Sequence, residues 1–275
     1  MSCLGRHGER FIRLVPDWLS ILILGLVEGV TEFLPVSSTG HLLLVEHWIG
    51  HRSEFFNVII QSAAVLAVLA AFRERVTRWA TTLGEPATRD ALAKIAVAFV
   101  ITGIGGLALK KAGLRLSSEN PVPVATATLV GGVLFLVVEH FLKGRPTRDD
   151  VSWPAAVAVA AAQLLAIACP GSSRSGSAIL FALAMGVSRP AATEFAFLLG
   201  VPTLLAAGGK EFIDAVKSGE PHEPWGLIAL GCVVSAASAF VVVKWLLGYV
   251  RSHRFTGFAI YRIVLGGALL LSRLA

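Results

Sequence analysis

Apolar residues fall in ten runs along the chain, at roughly 18–34, 41–50, 55–72, 91–109, 122–142, 151–169, 176–187, 194–208, 225–249 and 257–274. A bilayer-crossing helix needs about 20 apolar residues, within roughly 17–25. Six of the runs, 55–72, 91–109, 122–142, 194–208, 225–249 and 257–274, read as crossings, and the short run 194–208 is expected to extend into its flanks. The other four form two pairs, each interrupted by a Ser/Gly/Pro-rich break: Pro35-Val-Ser-Ser-Thr-Gly40 and Pro170-Gly-Ser-Ser-Arg-Ser-Gly176. These pairs read as re-entrant helical hairpins. The fold expected is an all-α integral membrane protein, a polytopic bundle of about six crossings plus two re-entrant hairpins.

The two breaks resemble each other. Each runs from Pro through a serine pair to Gly, and each precedes a Phe-rich run, Phe55-Phe56 and Phe195-Ala-Phe197. Ser38 and Ser173 stand about half the chain apart, the footprint of an internal duplication. The expected organisation is one membrane domain over 1–275, with a first repeat at 18–142 and a second at 151–274. A hairpin followed by three crossings inverts the second copy relative to the first. The charges fit that scheme. Three expected loops, 73–94 with Arg73, Arg75, Arg78, Arg89 and Lys94, 143–150 with Lys143, Arg145 and Arg148, and 250–256 with Arg251 and Arg254, fall on one side. Glu211, Asp214, Glu220 and Glu223 fall on the other, and the basic side is expected to be cytoplasmic. Lys110, Lys111, Arg115, Arg6, Arg10 and Arg13 run against the rule.

Composition reinforces the pattern. The 275 residues are 55% hydrophobic and only 15% charged, with a mean hydropathy of +0.73, whereas soluble domains carry roughly 25% charged residues. A net charge of +6 is then a matter of loop charges that orient the chain, and no nucleic acid is expected as a partner. Cys3, Cys169 and Cys232 have no metal-ligand spacing. No cleavable leader is expected, because the first apolar run carries Glu28 and Glu32. Trp18, Trp48, Trp79, Trp153, Trp225 and Trp245 mostly mark run ends, as interface anchors do.

Non-helical backbone at membrane depth survives only where protein or a water-filled cavity satisfies it. Two breaks therefore predict a polar cavity at the repeat interface, with half-helix N-termini aimed into it and an anion, phosphate above all, as its guest. Glu28 and Glu32, four apart, share one helix face and repel unless a divalent cation holds both ionised. The bland alternative is a solvated helix end. Ser37-Ser38-Thr39-Gly40-His41 can supply a nucleophile and a base. Arg174, flanked by Ser173 and Ser175 and followed by Gly176, offers a donor fork for phosphate oxygens, or alternatively a structural ion pair to Glu28 or Glu32. Gln61 and Asn57 either line the cavity or pack as amides. Glu194 reads as a helix-dipole residue, and Tyr261-Arg262 as packing without assigned chemistry.

Those residues resemble the signatures of the undecaprenyl-diphosphate phosphatase family, also called the bacitracin-resistance family. Glu28-Gly-Val-Thr-Glu-Phe-Leu-Pro-Val-Ser-Ser-Thr-Gly-His41 is similar to its first signature and Pro170-Gly-Ser-Ser-Arg-Ser-Gly176 to its second. Gly186-Val-Ser-Arg189, Glu194-Phe195 and Phe258-Ala-Ile-Tyr-Arg262 extend the likeness in order along the chain. Asn57, Ser172 and Ala178 depart from it, and Asn57 replaces what is usually an acid.

The resemblance implies a multi-pass enzyme of the bacterial inner membrane with its site facing the periplasm. It would hydrolyse undecaprenyl diphosphate for peptidoglycan recycling with a divalent cation, Mg²⁺ or Ca²⁺. By position, Glu28 and Glu32 would be the acidic, metal-holding pair, Ser38 and His41 catalytic, and Arg174 the diphosphate ligand. Ser37, Thr39, Gln61, Ser173, Ser175 and Gly176 are the expected substrate-binding set. The nucleophile is left open between Ser38, His41 and water. So is a homodimer. A lipid transporter of the same architecture is the principal rival reading, and a purely structural subunit the lesser one.

Overall fold

The computed structural model describes residues 15–114, 116, 120–219 and 223–272. Cys3, Arg6, Arg10, Arg13, Arg115 and Glu220 lie outside the described residues. Eleven helices and no strand occur among them: α1 Asp17–Thr31, α2 Ser38–Ile49, α3 Glu54–Ala71, α4 Arg73–Thr81, α5 Pro86–Lys111, α6 Pro121–Phe141, α7 Trp153–Ala168, α8 Arg174–Ala184, α9 Arg189–Ser218, α10 Trp225–Tyr249 and α11 Thr256–Leu271. Five of them, α3, α5, α6, α9 and α10, are long and apolar enough to cross a membrane, while α11, with 16 residues, is shorter. The short run expected at 194–208 is the middle of the 30-residue α9. Residues 73–94, expected as a loop, instead hold α4 and the first turns of α5. Charge hid that helix: α4 buries no residue, but Val76 and Trp79 pack on the core along one edge.

Local chemistry sets the helix starts. Ser53, Ser152 and Ser188 cap α3, α7 and α9 through their hydroxyls. Pro86 and Pro121 open α5 and α6, where the missing N–H costs nothing. Pro35 and Pro170 forbid simple continuation of α1 and α7 through the breaks.

Of the five long helices, α3 and α9 are the most enclosed by protein, and they lie against each other. Around them, α1 packs on α10, α7 on α5, and α6 on α11. Small residues permit the close approaches. A Cβ on Gly29 would strike Ser238 Oγ and the Ser235 carbonyl of α10, and Gly132 and Gly266 serve the α6–α11 contact in the same way.

Polar contacts gather at the two ends. At one end Arg189 grips Glu139 through two nitrogens, and the Phe255 N–H donates to Glu139 at 3.0 Å. The same end holds the Arg75–Glu194 pair at 2.7 Å and the Trp153–Asp90 hydrogen bond at 3.0 Å. It also carries the bridge between Arg148 and Val187. The opposite end carries Arg52–Asp17 at 2.9 Å and the Ser53 N–H donating to Glu223 at 2.9 Å.

Candidate active site

The breaks between α1 and α2 and between α7 and α8 meet inside the bundle. Each ends in a serine with positive φ, Ser37 at 74° and Ser173 at 68°, the only such non-glycine residues among those described. An L-residue held there costs about 1–3 kcal/mol, and such strain collects at functional sites. Both serines cap their half-helix: Ser37 Oγ accepts from Gly40 N at 3.3 Å, and Ser173 Oγ from Gly176 N at 3.1 Å. The caps therefore match Ser37 with Ser173, one position off the Ser38–Ser173 spacing. Ser38 and Arg174 thus take equivalent places, each the first residue of its half-helix. Their N–H groups, with those of Thr39 and Ser175, belong to the first turns and point out of the helix ends.

From these two points a chain of hydrogen bonds crosses the site. Ser38 Oγ donates to Glu32 Oε2 at 2.7 Å. Gln61 Nε2 of α3 donates to the same oxygen at 3.0 Å, and Arg174 Nη2 donates to Gln61 Oε1 at 3.1 Å. Arg174 forms no ion pair with Glu32 or Glu28, because Gln61 stands between them. Ser175 faces inward, donating to the carbonyls of Glu32 at 2.9 Å and Leu34 at 3.2 Å, so the second break grips the first.

Glu28 is wholly buried on α1, and neither of its carboxylate oxygens accepts a hydrogen bond of acceptable geometry. Glu32, Gln61 and Arg174 are the groups around it. Two orphaned carboxylate oxygens one turn from a second buried carboxylate suit a hard cation. No group of three or more His, Cys, Asp and Glu occurs among the described residues that could close a metal site without other ligands. A hard cation held there would need further oxygen ligands beyond these two carboxylates.

His41 is turned elsewhere. Its Nδ1 lies 2.7 Å from the Ser37 carbonyl and its Nε2 2.6 Å from the Tyr261 hydroxyl. A carbonyl only accepts, so Nδ1 carries the proton and Nε2 accepts from the phenol. Ser38 is thus paired with Glu32. Asn57 is a packing amide, donating to Glu46 at 2.8 Å, and Glu194 is the partner of Arg75.

Sequence reasoning gave Tyr261 and Arg262 a packing role only, and passed over Thr128. Arg262 is fully buried and reaches both breaks, while Thr128 Oγ1 donates to the Gly171 carbonyl at 3.2 Å. The signal was available for Arg262, as an intramembrane arginine is a functional candidate by default.

Fold and site together define a polytopic membrane protein built around a buried, anion-adapted polar centre. Residues 21–268 match the family described as bacitracin resistance protein BacA, and the chain belongs to that family. It is 51% identical over 257 residues to a protein of Xanthomonas campestris pv. campestris (strain 8004) named undecaprenyl-diphosphatase, covering 93% of this chain and 97% of that one. A protein of the same name from Xylella fastidiosa (strain 9a5c) is 48% identical over 256 residues, 92% of this chain and 98% of its own.

Proposed function

We propose that this chain is an undecaprenyl-diphosphatase, a hydrolase that converts the membrane carrier diphosphate to undecaprenyl phosphate and inorganic phosphate, which feeds peptidoglycan synthesis and confers bacitracin resistance. The observation that carries the reading is the Ser38–Glu32–Gln61–Arg174 chain, which sets a hydroxyl and its base against a guanidinium left free of carboxylates. Near-identical length and about half the residues are shared with proteins bearing that name.

Ser38 is the nucleophile. Its oxygen bonds to the terminal phosphorus while the bridging P–O bond breaks, its electrons leaving with undecaprenyl phosphate. Glu32 takes the hydroxyl proton. Arg174 and the first-turn N–H groups of α2 and α8 hold the phosphoryl oxygens. Glu32 passes the Ser38 proton to the departing undecaprenyl phosphate. It then takes a proton from water as the water oxygen bonds to the phosphoserine phosphorus, and returns that proton to Ser38 Oγ as the serine P–O bond breaks and inorganic phosphate leaves. Mg²⁺ or Ca²⁺ held by Glu28 and Glu32 supplies positive charge to the diphosphate when bound.

The repeats 18–142 and 151–274 form an inverted pair in this reading. It is supported by the matched caps Ser37 and Ser173, and by α1 on α10 against α7 on α5. With the basic end cytoplasmic, the α1–α2 hairpin enters from the periplasmic side, which supports a site open to the periplasm.

Phosphate release from undecaprenyl diphosphate by purified protein in detergent tests the function. Release with Mg²⁺ or Ca²⁺, abolished by EDTA and by Glu32→Ala or Arg174→Ala, is expected. No release from folded protein with any divalent cation would overturn it and favour a lipid carrier.

A further inference from the structure

We infer that Arg262, with its neighbour Tyr261, is the positioning element of the site: from α11 the pair holds both breaks in the conformation that brings the α2 and α8 N-termini to one cavity. The inference rests on the phosphatase reading for its chemistry.

Arg262 has no exposed surface and is the largest wholly buried side chain described. Its guanidinium donates to five carbonyls. Nη1 reaches Pro35 at 3.2 Å, two residues before the strained Ser37. Nη2 reaches Gly171 at 3.3 Å and Ser172 at 2.9 Å, immediately before the strained Ser173. The remaining bonds run to α6, from Nε to Thr128 at 3.1 Å and from Nη2 to Ala127 at 3.3 Å. One side chain therefore fixes the backbone just upstream of both left-handed caps.

The space around the guanidinium is reserved for it. A Cβ on Gly131 would overlap Nη2, one on Gly132 would lie 2.9 Å from the Arg262 Cβ, and one on Gly176 2.9 Å from Nη1. No ion pair among the described residues includes Arg262. A buried cation without a carboxylate is expensive. Carbonyls satisfy its hydrogen bonds but leave its positive charge uncancelled beside a cavity adapted to an anion.

Tyr261 braces the first break from the other side. Its hydroxyl donates to His41 Nε2 at 2.6 Å, the rings lie 8° from parallel at 5.6 Å, and His41 Nδ1 in turn donates to the Ser37 carbonyl. Thus consecutive residues of α11 hold Pro35 directly and Ser37 through His41. Neither needs to touch the reacting phosphorus to govern where Ser38 and Arg174 stand.

Arg262→Lys keeps the charge and loses the fork, and Gly131→Ala displaces the fork while leaving Arg262 in place. Both are compared with wild type for melting in detergent, for kcat and KM on undecaprenyl diphosphate, and for calorimetric binding of inorganic pyrophosphate. A melting temperature lowered but still well above that of the assay, kcat down about a hundredfold and KM raised by no more than about tenfold is the expected result. Pyrophosphate affinity should fall about tenfold, the worth of one charge-assisted hydrogen bond.

Retention of kcat within about threefold of wild type in either folded variant would overturn the role, as would losses that merely track unfolding. If neither variant folds, Tyr261→Phe decides, and wild-type kcat in it overturns the inference. Should wild type itself release no phosphate, the phosphatase reading fails and the pyrophosphate titrations still decide the positioning role.

Discussion

The Ser38 hydroxyl donates to Glu32 Oε2 across 2.7 Å, although the helix between Glu28 and Thr31 has already ended and a proline separates the two residues. That contact pairs a nucleophile with a base inside one broken segment. Ser38→Ala should lower kcat by at least about a hundredfold, the low end for a positioned acid–base partner, with the protein still folded. Rapid-quench mass spectrometry should find phosphate on Ser38 in wild type. Full turnover in Ser38→Ala would assign the attack to water or His41 instead.

Glu28 gives a test that needs no turnover. Its two oxygens lack donors, so Mg²⁺ or Ca²⁺ should raise the melting temperature of wild type, and EDTA should reverse the gain. Glu28→Gln removes a carboxylate ligand while keeping the side chain's shape, and should lose the response to cation. A cation-dependent shift preserved in Glu28→Gln would place the metal elsewhere.

Gln61 separates Arg174 from Glu32, accepting from one and donating to the other. In Gln61→Glu the new carboxylate would pair with Arg174 and repel Glu32, so diphosphate binding should weaken markedly. Pyrophosphate titration reads this directly. Gln61→Ala should be milder, because the void lets Arg174 and Glu32 approach without adding charge.

The Glu139–Arg189 pair and the Phe255 N–H tie three helices at the basic end. Glu139→Ala strands a partly buried guanidinium and leaves the Phe255 N–H without its acceptor, and should cost about 1–3 kcal/mol. Adding Arg189→Met should recover part of the loss, as a double-mutant cycle on chemical unfolding would measure.

Gly29 lies against α10, where a Cβ would meet Ser238 Oγ and the Ser235 carbonyl. Gly29→Ala should destabilise by about 1–3 kcal/mol through overpacking. An unchanged melting temperature would mean that α1 shifts freely, in conflict with its close seating.

Much of this was legible along the chain. The apolar runs located the five helices long and apolar enough to cross a membrane, because bilayer thickness imposes a length that local composition reports. The Ser/Gly/Pro-rich segments opening at Pro35 and Pro170 located both breaks, since proline removes a helical donor and its neighbours favour turns, whereas Pro202 alone is accommodated inside α9. The charged segment 73–94 was misread as a loop, because a helix on the surface shows too little apolar surface to register as a run. Only the fold put Gln61, 29 positions beyond Glu32, between Glu32 and Arg174.

By itself the sequence determined an all-helical membrane protein, the acidic pair, the hydroxyl cluster and the arginine, since each follows from residue type at short range. Partnership was decided by the tertiary structure. Ser38 pairs with Glu32 and His41 with Tyr261, and Arg262 joins two loops more than 130 positions apart. A hydrogen bond acts over about 3 Å, and which distant groups come that close depends on helix packing, to which no local pattern gives access.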